Sequence, residues 1–377
     1  MKIAYDAILL LGRSGIERYA RELIKHVAAS GDSHELRLIS GTEYGGATRE
    51  YFRHLPNVDT KSVIPHERLL GAPLRLLMRS IQRRRFSTAI RDVDVVHILG
   101  PTKFVPSGAP LVVTIHDLFP MDASFGLSAE MQRRFPGRID RQLKAASAVV
   151  CPSSYVAGTI RDSFPWYTGP IAVTPLAASD AFTPAELSDH VRRKHAIHDR
   201  FVLFVGRVDP RKNIPRMLKA WAALSRELRS QTQFVLLLAG DPVSLEKLKK
   251  EHHDVLSDPS IRLIYEVPSS EMIQLLSASR ALVFATLGEG FGLPVIEAMK
   301  CGCPVIASNN TSLPEVGGDA ALYVDPIDVD SIANAMQKCL TDDDAVAEMR
   351  QRGLVHAQQF TWHETARKTL DVYSSVM

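Results

Sequence analysis

Short apolar runs alternate with amphipathic stretches in two successive series, and a proline-rich segment separates them. The first series has runs at Ile3–Leu11, Leu36–Ser40, Val93–Leu99, Pro110–Ile115 and Ala148–Cys151. The second has Phe201–Gly206, Gln233–Ala239, Ile261–Tyr265, Arg280–Ala285 and Pro304–Ser308. Near-continuous apolar runs are what strands buried on both faces look like. Strands alternating with helices point to parallel sheets with crossover helices. The stretch between, with Pro165, Gly169, Pro170, Pro175 and Pro184 around a short strand at Ile171–Thr174, is the best linker. The pattern predicts an α/β chain with two doubly wound domains facing each other across a cleft. A length of 377 residues suffices for two such cores.

Composition narrows the function. The net charge of +3 is too small to imply a nucleic-acid partner. The four cysteines form no zinc-type pairs, which fits a reduced, cytoplasmic protein. Asp6 interrupts the N-terminal apolar run, so it reads as a first strand rather than a signal peptide. No stretch reaches the roughly 18 apolar residues needed to span a bilayer.

The chemistry gathers around Gly288-Glu289-Gly290-Phe291-Gly292-Leu293-Pro294-Val295-Ile296-Glu297. An apolar strand leads into a glycine loop, and Pro294 sits where a helix begins. Glycines let a ligand approach the backbone, and a helix start attracts an anion. Glu297, expected in the first helical turn, and Glu289 would repel a phosphate. They suit sugar hydroxyls instead, as acceptors. The alternative is a sheet loop with two solvated acids. Upstream, Gly206-Arg207-Val208-Asp209-Pro210-Arg211-Lys212-Asn213 follows the second series' first strand, with Asn213 as the expected helix cap. Breaking the anomeric bond of a nucleoside diphosphate sugar releases a diphosphate. Fixed cations at Arg207 and Lys212 would stabilise that growing charge, with no metal required.

In the first series, a glycine loop at Gly12–Gly15 precedes a helix carrying Ile16, Tyr19, Ala20, Leu23, Ile24 and Val27 at helical spacing. His116-Asp117 ends an apolar strand, where α/β sheets place ligand contacts; a structural histidine is the alternative. Thr42 to Pro73 reads as irregular. Leu74 to Arg85 reads as a basic amphipathic helix, suited either to an anionic membrane surface or to simple solvation of its arginines.

Together, Glu-Gly-Phe-Gly-Leu-Pro-x-x-Glu-Ala at 289–298, with Gly-Arg-x-x-x-x-Lys-Asn at 206–213, resembles the family 4 retaining glycosyltransferases of the GT-B fold. The Gly12–Gly15 loop, His116-Asp117, Pro314-Glu315-Val316 and Phe360-x-Trp362 fall in the matching order. The resemblance implies Rossmann-like domains at 1–175, binding the acceptor, and 176–360, binding the nucleotide sugar. A helix at 361–377 would cross back to the first domain. It implies that Glu297 binds the ribose hydroxyls and that Glu289 contacts the transferred sugar. Arg207 and Lys212 would hold the diphosphate. Gly290, Phe291, Gly292 and Leu293 would offer backbone contacts, and Val267 would meet the base through its main chain. His116 would contact the donor sugar and Gly15 the phosphate side. The stretches Ser14–Tyr19 and His116–Pro120 are most similar to bacterial enzymes using GDP-mannose or GDP-6-deoxyhexoses such as GDP-rhamnose. The implied partners are that donor and a glycan or polyprenyl-diphosphate-linked glycan acceptor. The implied place is the inner face of the plasma membrane, with no resident cofactor. A UDP-sugar transferase, an epimerase or phosphorylase of similar fold, and a non-catalytic nucleotide-sugar-binding partner remain alternatives at this point.

Overall fold

The computed structural model describes all residues except 7–14, 31–33, 42–44, 65–83, 101, 103–104, 107, 123–124 and 126–128. The chain divides into two compact units. Met1–Leu176 and Thr361–Met377 form one, and Ala177–Phe360 the other.

The first unit is built on a seven-stranded parallel sheet. Its strands are β1 (Lys2–Asp6), β2 (Glu35–Gly41), β3 (Val58–Ile64), β4 (Val95–Ile98), β5 (Leu111–Thr114), β6 (Ala148–Cys151) and β7 (Ile171–Val173). They lie in the order β3-β2-β1-β4-β5-β6-β7. β4, β5 and β6 are buried at every residue, as their apolar runs require. The helix Gly15–Ala28 buries Tyr19, Ala20, Leu23, Ile24 and Val27, the face its spacing marks out. Within Thr42–Pro73 the expectation of irregular chain is corrected, because a helix at Gly45–Phe52 and the strand β3 lie there. β3 pairs on one side only, with β2, so it needs no apolar run on both faces. The basic segment Leu74–Arg85 lies outside the described residues apart from Arg84 and Arg85, which begin a helical turn at 84–89.

The second unit has a six-stranded parallel sheet. Its strands are β8 (Phe201–Arg207), β9 (Gln233–Ala239), β10 (Ile261–Tyr265), β11 (Ala281–Phe284), β12 (Val305–Ser308) and β13 (Ala321–Val324). The order β10-β9-β8-β11-β12-β13 places the first strand between the second and the fourth. That is where a doubly wound sheet reverses direction and opens a ligand crevice at its carboxyl ends. The helical stretches after β8 and β9 are each broken. Ile214–Leu228 divides into Ile214–Ala223 and Arg226–Gln231, with Ser225 capping the second through Leu228 N. Leu245–Leu256 divides into Pro242–Glu251 and His253–Leu256.

The closing helix Trp362–Val376 buries Trp362, Thr365, Ala366, Thr369, Val372 and Tyr373. These lie three or four residues apart and make one face. All four cysteines are free and buried. Among the described residues no helix is long and apolar enough to cross a membrane.

Candidate active site

In the second unit, β8 and β11 flank the point of reversal, and their carboxyl ends carry the two motif loops. After β8 the chain turns through a short helix at Pro210–Lys212. Asp209 caps it, accepting from the Arg211 amide at 2.9 Å and from Arg211 Nε at 3.1 Å. Burial would raise the Asp209 carboxyl, but the Arg211 side chain and amide hold it below its usual range. Arg211 is thereby tied to Asp209 within its own turn, whereas Arg207 and Lys212 point elsewhere. Arg207 ends β8 and is exposed. It lies close enough to help Ser244 hold the Asp241 carboxylate low.

Lys212 Nζ donates to Glu289 Oε1 at 2.6 Å, and the two side chains are only 16% and 12% exposed. The same ammonium stands 5.1 Å from the centre of the Phe284 ring, whose face attracts a cation. The Leu287 amide donates to Arg211 O at 2.7 Å. Asn213 Nδ2 donates to Ala285 O at 2.8 Å and to Pro326 O at 2.7 Å. Three links therefore fix the loop after β8 to the loop after β11. Asn213 occupies the cap position, but the expectation of a side-chain cap is corrected. Its backbone is left-handed, at φ +57, and its amide turns inward to bind the neighbouring loops. Asn tolerates that conformation better than most residues. Sequence marked Asn213 as a cap; its bridging role depends on carbonyls 72 and 113 residues away.

The glycine loop is held from below. Ser312 Oγ donates to Glu289 O at 2.8 Å and to Phe291 O at 2.9 Å, and Thr311 Oγ1 accepts from the Glu289 amide at 3.3 Å. Gly292 precedes the helix Leu293–Lys300 at φ +106. A Cβ there would sit 2.5 Å from Leu313 Cδ2, so both conformation and space demand glycine. Pro294 lies in the first turn, as expected. Glu297 does not: it falls in the second turn and is 3% exposed. The helix begins at Leu293, one residue before the proline, which moves Glu297 out of the first turn. Phe291 is buried, its ring edge-on to Phe360 at 5.9 Å. Val267 lies two residues beyond β10, beside Glu266, which has a left-handed backbone at φ +48. The structure thus brings Lys212 and Glu289 into contact and ties their loops together. Gly290, Phe291, Gly292 and Leu293 continue from the same loop, and Glu297 lies buried on the helix that follows it.

In the first unit, His116 lies two residues past β5 and is partly buried. Its Nε2 meets Leu99 O at 2.9 Å. A carbonyl only accepts, so Nε2 carries the proton and Nδ1 is left as an acceptor. Enclosure of the ring pushes its pKa down to about 4, so it is neutral at pH 7. Tyr19 packs edge-on to it at 4.9 Å. Gly15 opens the helix that carries Tyr19, while Gly12, Arg13 and Ser14 lie outside the described residues.

Residues 13–178 match the family described as Glycosyltransferase Family 4, and residues 188–355 the family described as Glycosyl transferases group 1. The chain is 31% identical to the O-antigen chain mannosyltransferase B of Escherichia coli, covering 96% of each. It is 32% identical over 194 residues to the serotype-specific mannosyltransferase WbdA of Escherichia coli, covering 51% of this chain and 24% of that one. In fold it is similar to a sucrose-phosphate synthase from Thermosynechococcus elongatus, with a TM-score of 0.77 and 20% identity over 100% and 99% of the two chains. With both halves matched and one relative aligned along nearly the whole length, the chain belongs to the family 4 glycosyltransferases, of GT-B fold.

Proposed function

We propose that this glycosyltransferase moves a hexose from a GDP-sugar to a lipid-linked or growing polysaccharide, with retention of anomeric configuration and without a metal. The hexose is mannose or a 6-deoxyhexose such as rhamnose. The observation that carries the reading is the Lys212–Glu289 contact at the point where the second sheet reverses. A cation for phosphate and a carboxylate for sugar hydroxyls stand there side by side. The names of the O-antigen relatives support mannose and a surface-polysaccharide acceptor.

In this reading Arg207 and Lys212 hold the diphosphate and stabilise its charge as the anomeric C–O bond breaks. Glu289 orients the hexose, and Glu297 binds the ribose. Gly290, Phe291, Gly292 and Leu293 present backbone to sugar and phosphate, and Val267 meets the guanine. His116, neutral and with Nδ1 as an acceptor, accepts a hydrogen bond from a hydroxyl of the hexose, and Gly15 faces a phosphate. The departing diphosphate oxygen accepts the acceptor's proton on the same face of the sugar. The acceptor is a glycan or a polyprenyl-diphosphate-linked glycan, and the protein works at the inner face of the plasma membrane.

A thermal-shift panel of GDP-, UDP-, ADP- and dTDP-sugars tests the donor, since a ligand bound only by the folded chain raises its apparent stability. The largest shift is expected with GDP-mannose or GDP-rhamnose. A larger shift with a UDP-sugar overturns the choice of base. Trapping a glycosyl adduct on Glu289 or Asp117 would overturn the same-face route.

A further inference from the structure

A chain of buried polar groups crosses the first unit and ends beneath His116. Tyr373, on the closing helix, meets Tyr5 Oη of β1 at 3.2 Å and His97 Nδ1 of β4 at 2.6 Å. His97 Nε2 meets Thr114 Oγ1 of β5 at 2.7 Å. Thr114 Oγ1 meets Tyr19 Oη at 3.0 Å, and the Tyr19 ring packs against His116. Tyr5, Tyr19, His97, Thr114 and Tyr373 are all buried. The directions are mutually consistent. Tyr373 donates to Tyr5, so it accepts from His97 Nδ1–H. His97 Nε2 then accepts from Thr114, whose oxygen accepts from Tyr19. Every link is satisfied without a charge, which is what keeps a buried polar chain rigid.

The closing helix touches this chain twice. Trp362 packs on the Tyr19 ring at 6.2 Å, while Tyr373 holds His97. The two lie eleven residues apart, three helical turns, and so share a face. A structural core needs none of this. Phenylalanine at 5, 19 and 373 with an aliphatic residue at 97 would pack as well, and unpaired polar groups there are costly.

We propose that Tyr373, His97 and Thr114 are positioning residues for His116, through which the closing helix sets the Tyr19 ring that holds the imidazole. The proposal rests on the reading of His116 as a contact to the hexose. It adds residues on three separate elements, the closing helix, β4 and β5, to the machinery. Thr114 sits two residues before His116 on the same strand end, so the chain fixes both the ring's support and its backbone.

The test is a double-mutant cycle on the full chain, reading turnover of GDP-mannose to GDP. Tyr373→Phe, which removes one oxygen atom, is expected to lower kcat about tenfold with KM for GDP-mannose unchanged. In a His116→Ala background the same change is expected to have no further effect. Wild-type kcat in Tyr373→Phe, or an equal loss in both backgrounds, overturns the proposal. If His116→Ala alone keeps full turnover, the reading of His116 falls, and the coupling with it. Nitrogen-15 spectra of the histidines give a second measurement that does not depend on turnover. His116 is expected as the Nε2–H tautomer, held by Leu99 O, in both proteins, with its ring signals shifted in Tyr373→Phe as the packing of Tyr19 changes. An unchanged His116 spectrum in the variant overturns the proposal.

Discussion

Glu289 and Glu297 stand eight residues apart and occupy very different surroundings. Glu289 is on the loop, paired with Lys212, and Glu297 is buried in the second turn of the following helix. This separation argues for a division of roles. Glu297→Ala is expected to raise the donor KM with little change in kcat, and Glu289→Ala to lower kcat with little change in KM. Steady-state kinetics on the two variants checks it, and exchanged signatures would contradict it. Gly292 answers to a different constraint, since its φ is +106 and a Cβ would meet Leu313. Gly292→Ala is expected to cost about 1–3 kcal/mol of stability, measured by urea unfolding. Sequence exposed the types of these residues and their spacing. It could not expose that Lys212, 77 residues before Glu289, lies within hydrogen-bond distance of it. Nor did it mark the inward amide of Asn213, because the partner carbonyls belong to other loops.

At the scale of elements, legibility follows burial. β8 and β11 read clearly because parallel strands covered on both faces must be apolar throughout. β3, Val-Asp-Thr-Lys-Ser-Val-Ile, pairs with β2 alone and carries two charges, so it was hidden in the sequence. β13 has only four residues and follows two glycines, so it gives too short a signal to be read alone. The ends of β4 and β5 make a further expectation. Burial pushes the His97 pKa down to about 3 and that of His116 to about 4. Unfolded, both titrate near 6.5 and so bind more protons than the folded chain below that pH. Stability is therefore fully present above about pH 6.5 and is lost as pH falls toward the folded values. Each histidine contributes a slope of up to about 1.4 kcal/mol per pH unit in that window. Urea unfolding between pH 7 and 5 should show the decline, and His97→Gln should flatten it; a slope unchanged by that substitution would contradict the assignment.

For the whole molecule, the family rests on matches to both halves and on one relative aligned along nearly its full length. The chain returns at Thr361 to the unit where it began, and Trp362 and Tyr373 are buried there. Sequence showed the Phe360-x-Trp362 pattern, but the hydroxyl that Tyr373 places beside His97 is a three-dimensional fact. The central claim is that the loops after β8 and β11 hold the diphosphate sugar. Isothermal titration of GDP-mannose into the native chain and into Lys212→Ala tests it most directly. Native binding is expected, with affinity at least about tenfold weaker in Lys212→Ala, as befits loss of a charge-assisted contact. Equal affinity in the two proteins would contradict the account.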